Sequence, residues 1–202
     1  MSKIIFRSTD IQSEKESRTI TGRAIVFESW SKNLGGFYEI IHRGAITQEL
    51  IDKSDIIMNI NHDDEKMVAR SRQGKGTLSV SLKDDGVYFS FEAPTTSRGD
   101  ELLYNIRNGN IFECSFAFTI PDDLHSERWY VDSDNVYRRE VNVIDGLYDM
   151  SLVIHGAYGD TNCYTRCADN EVLNPVDKIT EYRKKIDKYY DDIMSELTDY
   201  KI

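Results

Sequence analysis

What most constrains the fold is a series of short alternating segments, rich in β-branched and aromatic residues and punctuated by Gly, Asn and Asp. Side chains alternate across a strand, so each segment offers every second residue to a shared core. Residues 18–27 read as a strand kinked at Gly22, followed by strands at 37–41 and 56–60. Residues 76–82 and 86–92 flank Asp84-Asp85-Gly86 and form a predicted hairpin. Residues 111–120, 129–131, 135–143 and 147–155 read as further strands, whereas the first 17 residues hold only a short apolar run, Ile4-Ile5-Phe6, before turning polar. Two helices interrupt the series. One spans 44–54 through Ala45, Leu50 and Ile51. The other spans 98–108, with Ser97 as cap, Asp100 at capping-box spacing and Asn108-Gly109 as the stop. The expected architecture is β-dominated α+β: a closed or curled antiparallel barrel with peripheral helices.

From Pro175 the pattern changes. Ile179, Tyr182, Ile186, Tyr189, Ile193, Leu197 and Tyr200 recur at steps of three and four, and no glycine or later proline intervenes. A long C-terminal amphipathic helix follows a loop at 165–174. Its seam suits either a helix folded back on its own core or one that binds a partner. The domain organisation is therefore a core over residues 1–170 and a helical segment over 171–202, serving in partner binding, packaging or dimerisation.

Composition removes several functions. The 202 residues carry a formal net charge of −10, and no basic stripe offers a grip on nucleic acid. No stretch approaches about 18 apolar residues, so no membrane span is expected. Cys114, Cys163 and Cys167 make an odd count without a secretory leader, which suggests reduced thiols in a cytosol. Cys163 and Cys167 have no partner pair, so no closed zinc site is expected.

Four histidines are available as general bases: His42, His62, His125 and His155. His62 stands out because it ends an apolar strand and opens a polar loop, a rigid mount beside a cleft. His62, Asp63, Asp64 and Glu65 also form a candidate metal cluster, although no second His or Cys lies nearby at ligand spacing. Ser115 is a lone hydroxyl in Cys114-Ser115-Phe116-Ala117-Phe118; its partner is either a backbone carbonyl or an imidazole, and only the latter would activate it. Asp149 enters the apolar segment 147–153, where it either faces solvent or pairs with a base. Arg70 is either an exposed cation or a support for a developing oxyanion.

These residues sit in motifs that resemble the tailed-phage prohead maturation proteases, a serine protease family related in fold to herpesvirus assemblins. The likeness runs in order along most of residues 5–165. It takes in TITGRAIVF at 19–27, GFYEII at 36–41, Gly44-Ala45-Ile46, Asn61-His62-Asp63, Arg70 and Gly76-Thr77-Leu78. It continues through Gly109-Asn110-Ile111, Ser115-Phe116-Ala117-Phe118, LYDMSLV at 147–153, Ala157-Tyr158 and Asp160-Thr161.

The resemblance implies His62 as base, Ser115 as nucleophile and Arg70 as transition-state support. It points to Asp149 as third member where the family usually has Glu, with His155 as the fallback because the herpesvirus relatives use a second His. It further implies a serine endopeptidase, without cofactor or metal, that trims scaffold segments of the major capsid protein, and itself, during prohead maturation. The implied setting is the assembling prohead in the host cytoplasm, with the enzyme absent or degraded in the mature virion. The implied partners are the capsid protein and its scaffold segment, with the portal and a second copy of the chain as further candidates. The rival expectation is a catalytically inactive capsid-assembly or scaffolding protein that kept the fold.

Overall fold

The computed structural model describes residues 5–13, 17–153 and 174–199. In chain order these are β1 (Ile5–Ser13), β2 (Thr19–Val26), β3 (Phe37–Ile41), α1 (Gln48–Lys53), β4 (Asp55–Ile60), β5 (Ala69–Arg72), β6 (Lys75–Gly76), β7 (Leu78–Lys83) and β8 (Gly86–Glu92). Then follow α2 (Ser97–Arg107), β9 (Glu113–Thr119), β10 (Glu127–Val131), β11 (Tyr137–Val141), β12 (Gly146–Val153) and α3 (Pro175–Asp199). The protein is mostly β, with a few helices including the one at the C-terminus.

Nine strands form one sheet in the order β6-β5-β4-β12-β9-β1-β2-β8-β7, and β10-β11-β3 form a second. The large sheet bends back so that its two ends meet along the chain: Thr77, between β6 and β7, donates its N–H to Arg70 O at 3.0 Å. Among the described residues no ladder closes the sheet into a barrel. Nor is the pairing wholly antiparallel, since β4 with β12 and β3 with β11 run parallel.

The concave interior follows from alternation. Ile56 and Met58 on β4, Met150 and Leu152 on β12, and Cys114, Phe116 and Phe118 on β9 belong to one buried cluster. Leu50 and Ile51 of α1 and Leu102, Leu103 and Ile106 of α2 complete it. A Phe or Leu buried this way contributes roughly 1.5–3 kcal/mol. On β12 the register against β9 slips by one between Leu147 and Asp149. The extra residue, Tyr148, lets both Leu147 and Met150 enter the core while Asp149 turns to the opposite face.

The expected hairpin is present, and Gly86 is required in it. At φ 157° it lies so close to β2 that a Cβ would stand 2.0 Å from Ile25 O. The helix α2 starts one residue earlier than expected, capped by Thr96, whose hydroxyl accepts from Gly99 N. It stops where predicted, with Gly109 at φ 72°. The first helix is shorter than the expected 44–54. β1 is the main element that pattern reading did not show, and it lies between β9 and β2. The end of the 147–155 strand, the loop at 165–174 up to residue 173, and Cys163 and Cys167 lie outside the described residues.

The long helix α3 docks by its first turns. Ile179 and Tyr182 pack on Leu34, Phe37 and Trp129, and Lys185 Nζ lies 2.6 Å from Asp122. Farther along, Tyr189, Tyr190 and Met194 are exposed. No helix among the described residues is long and apolar enough to cross a membrane.

Candidate active site

β4 ends at Ile60, and the chain reverses through Asn61 and His62, both in the left-handed region at φ 54° and 55°. Asp63 N–H donates back to Ile60 O at 3.2 Å, so these two residues occupy the centre of a tight turn. Asn and His are among the non-glycine residues that visit this conformation most, yet it still costs energy and needs support from its surroundings. The support comes from β12. Asn61 N–H donates to Leu152 O at 3.0 Å, and His62 N–H donates to Ser151 Oγ at 2.8 Å.

The turn aims the imidazole at Asp149. His62 Nδ1 lies 3.0 Å from Oδ2 and 3.1 Å from Oδ1. An ionised carboxylate can only accept, so Nδ1–H donates, which leaves Nε2 pointing away from Asp149. Both side chains are largely shielded, His62 being 25% and Asp149 13% exposed, which preserves the interaction from solvent screening.

Ser115 stands on β9 directly opposite Ser151 of β12, and Ser151 stands opposite Asn59 of β4. Residues opposite one another share a face. Ser115, Ser151 and Asn59 therefore form one row across three strands, on the side away from Cys114, Phe116 and Phe118. The adjacent row runs Ala117, Asp149, Ile57, Arg70. The fold thus brings His62, Asp149 and Ser115 to one sheet face. Ser115 is buried, and its hydroxyl makes no hydrogen bond to a described residue.

Arg70 reaches the same face but is engaged. Its guanidinium forks onto Asp55 at 2.7 and 2.6 Å. That pairing raises the Arg70 pKa and lowers that of Asp55. Cys114, on the other face, is inert: burial pushes its thiol well up, and the Asp149 charge adds to the effect.

The other histidines lie elsewhere. His42 pairs with Glu28 at 3.0 Å, His125 sits edge-on to Tyr189 of α3, and His155 lies outside the described residues. Among the described residues no three His, Cys, Asp or Glu side chains converge as metal ligands. Asp63 instead caps Glu65 N–H and pairs with Lys66. A hollow of about 510 Å³ on β2, β8 and β7, lined by Thr21, Arg23, Ser79, Ser81, Tyr88 and Ser90, contains no histidine.

Sequence reading passed over Ser151 and Asn59. The available signal was the two-residue step from Asp149 to Ser151, which puts both on one face. Placing Asn59 beside them requires the β4–β12 register.

Comparison with known proteins bears on the fold and the family. No curated protein matches the chain. Among solved structures, that of the bacteriophage T4 capsid assembly protease, gp21, superposes with a TM-score of 0.53 at 14% sequence identity, covering 78% of this chain and 99% of that one. At that identity the likeness speaks for the fold alone. The sequence itself matches the profile of the caudovirus prohead serine proteases over residues 2–174, from before β1 to the residue preceding α3. The chain belongs to the caudovirus prohead serine protease family.

Proposed function

We propose that the protein is a serine endopeptidase that cleaves scaffold or propeptide segments of its major capsid protein, and itself, inside the assembling prohead. The observation that carries this reading is the His62–Asp149 pair at 3.0 Å on the sheet face that also bears Ser115, in a chain of this family.

In the proposed mechanism His62 Nε2 takes the Ser115 proton as Oγ attacks the scissile carbonyl. Asp149 holds the ring by Nδ1–H and stabilises the imidazolium. The tetrahedral oxygen is held by backbone donors, and Arg70 would add positive charge from the same face on release from Asp55. Collapse transfers the His62 proton to the leaving amine and leaves an acyl group on Ser115. Water, deprotonated by His62, then releases it.

The catalytic domain in this reading is residues 1–170, and 171–202 is a packaging or dimerisation segment. The seating of Ile179 and Tyr182, against the exposure of Tyr189, Tyr190 and Met194, supports a helix anchored by its first turns with exposed aromatic residues farther along. Capsid protein with its scaffold segment is the proposed partner, and the portal and a second copy are further ones. The enzyme works in the host cytoplasm within the prohead and is lost by maturity.

The test is co-expression with the cognate capsid gene, followed by intact-mass analysis. Wild type should trim the capsid protein at discrete sites and Ser115→Ala should leave it whole. Trimming by Ser115→Ala refutes the proposed nucleophile.

A further inference from the structure

Asn59 breaks a rule of burial. It is fully enclosed on β4, yet its Oδ1 is the one buried side-chain nitrogen or oxygen among the described residues without a hydrogen-bond partner. An enclosed acceptor lacking a donor is costly, and an apolar residue of similar volume would avoid that cost. Such local violations concentrate where function requires them.

The other end of the amide faces two acceptors. Nδ2 lies 3.2 Å from Asp64 Oδ1 and 3.5 Å from Asp149 Oδ2. Two carboxylates converge on one NH2 group, which fixes the orientation of the amide. Reversed, its carbonyl would face both acceptors. The two acceptors bracket the site: Asp64 lies just past the turn that carries His62, and Asp149 is the carboxylate that His62 contacts.

We infer that Asn59 is a positioning residue for catalysis, its amide tying the exit of the His62 turn to the Asp149 carboxylate so that turn, imidazole and carboxylate are held as one unit. The orphaned Oδ1 is the structural cost of pointing NH2 at both acids. The inference rests on the proposed roles of His62, Ser115 and Asp149.

The test is the second-order rate at which a fluorophosphonate labels Ser115, measured on purified full-length protein with thermal unfolding alongside. Asn59→Leu keeps the approximate volume and removes both the orphan acceptor and the donor. Its unfolding midpoint should equal or exceed wild type, while labelling slows at least about tenfold. Folded Asn59→Leu labelled within about twofold of wild type overturns the inference.

Should Asn59→Leu fail to fold, Asn59→Asp keeps the shape and replaces the donor. The introduced carboxyl would face Asp149, Asp64 and His62. Labelling should be weak near pH 8, and the ratio of variant to wild-type rate should climb toward about pH 6, where the protonated carboxyl can donate to Asp149 in place of the amide. A ratio near one and flat with pH overturns the inference. Wild type that takes no label at Ser115 overturns the underlying site reading instead, and the inference with it.

Discussion

Ser115 and Ser151 face each other across β9 and β12, and the Ser151 hydroxyl accepts the backbone N–H of His62 at 2.8 Å. The residue opposite the proposed nucleophile thus braces the strained turn that presents the proposed base. Two serines, one strand apart, carry different duties: the hydroxyl of Ser151 accepts from backbone, and that of Ser115 makes no hydrogen bond to a described residue.

Ser151→Ala should leave the His62 N–H without its acceptor in a half-buried setting. The expected loss is about 0.5–1.5 kcal/mol of unfolding free energy, together with slower cleavage as the turn loosens. Urea denaturation and capsid-cleavage kinetics check this. Full activity would show that the turn holds without its brace.

Asp149→Asn should preserve the fold, because the amide has the shape of the carboxylate it replaces. Cleavage should fall by about 10³–10⁴-fold, since the imidazole loses both its orienting acceptor and the charge that stabilises its protonated form. Single-turnover cleavage at neutral pH measures this; a rate within about tenfold of wild type would move attention to His155.

Much of this could be read in the sequence, for identifiable reasons. The β7–β8 hairpin announces itself through Asp84-Asp85-Gly86, and α2 through its cap spacing and Asn108-Gly109, because both signals are local. β1 escapes because FRSTDIQS lacks a clean apolar alternation; its place comes from pairing with β9 and β2 on either side. His62 and Ser115 stand out by chemistry and setting. The face that each side chain takes depends on registers between distant strands, and the one-residue slip at Tyr148 is invisible to any periodicity. Asn59 and Ser151 are ordinary polar residues until β4, β12 and β9 are laid side by side.

The second sheet carries its own buried charges. Arg139 lies 2.7 Å from Glu39 and 2.8 Å from Glu127. Removing the cation by Arg139→Met would strand buried carboxylates and should cost about 3–5 kcal/mol. Burial pushes the Glu127 carboxyl up, but the Arg139 guanidinium and the Trp129 N–H outweigh it, and its pKa is lowered overall. A folded-state pKa below the unfolded value gives stability that is present above the ordinary glutamate range and lost as pH falls through the folded value. Unfolding free energy should therefore drop below about pH 4.5. Glu127→Gln should flatten that drop, and urea titrations in which variant and wild type run parallel there would contradict the assignment.

Truncation after Asn174 removes Ile179 and Tyr182 from Phe37 and Trp129 but leaves the main cluster untouched. The shortened protein should keep its sheet by circular dichroism while Trp emission shifts to the red. It should also fail to enter proheads when co-expressed with capsid protein. Normal incorporation would dissociate the helix from packaging, and loss of the sheet signal would make α3 part of the folding unit.

The most direct test of the central claim is to expose wild type, His62→Ala and Ser115→Ala to a fluorophosphonate and map the adduct by peptide mass. The account predicts a single adduct on the peptide bearing Ser115 in wild type, and none in either variant. An adduct on Ser151, or one on Ser115 that survives loss of His62, would contradict it.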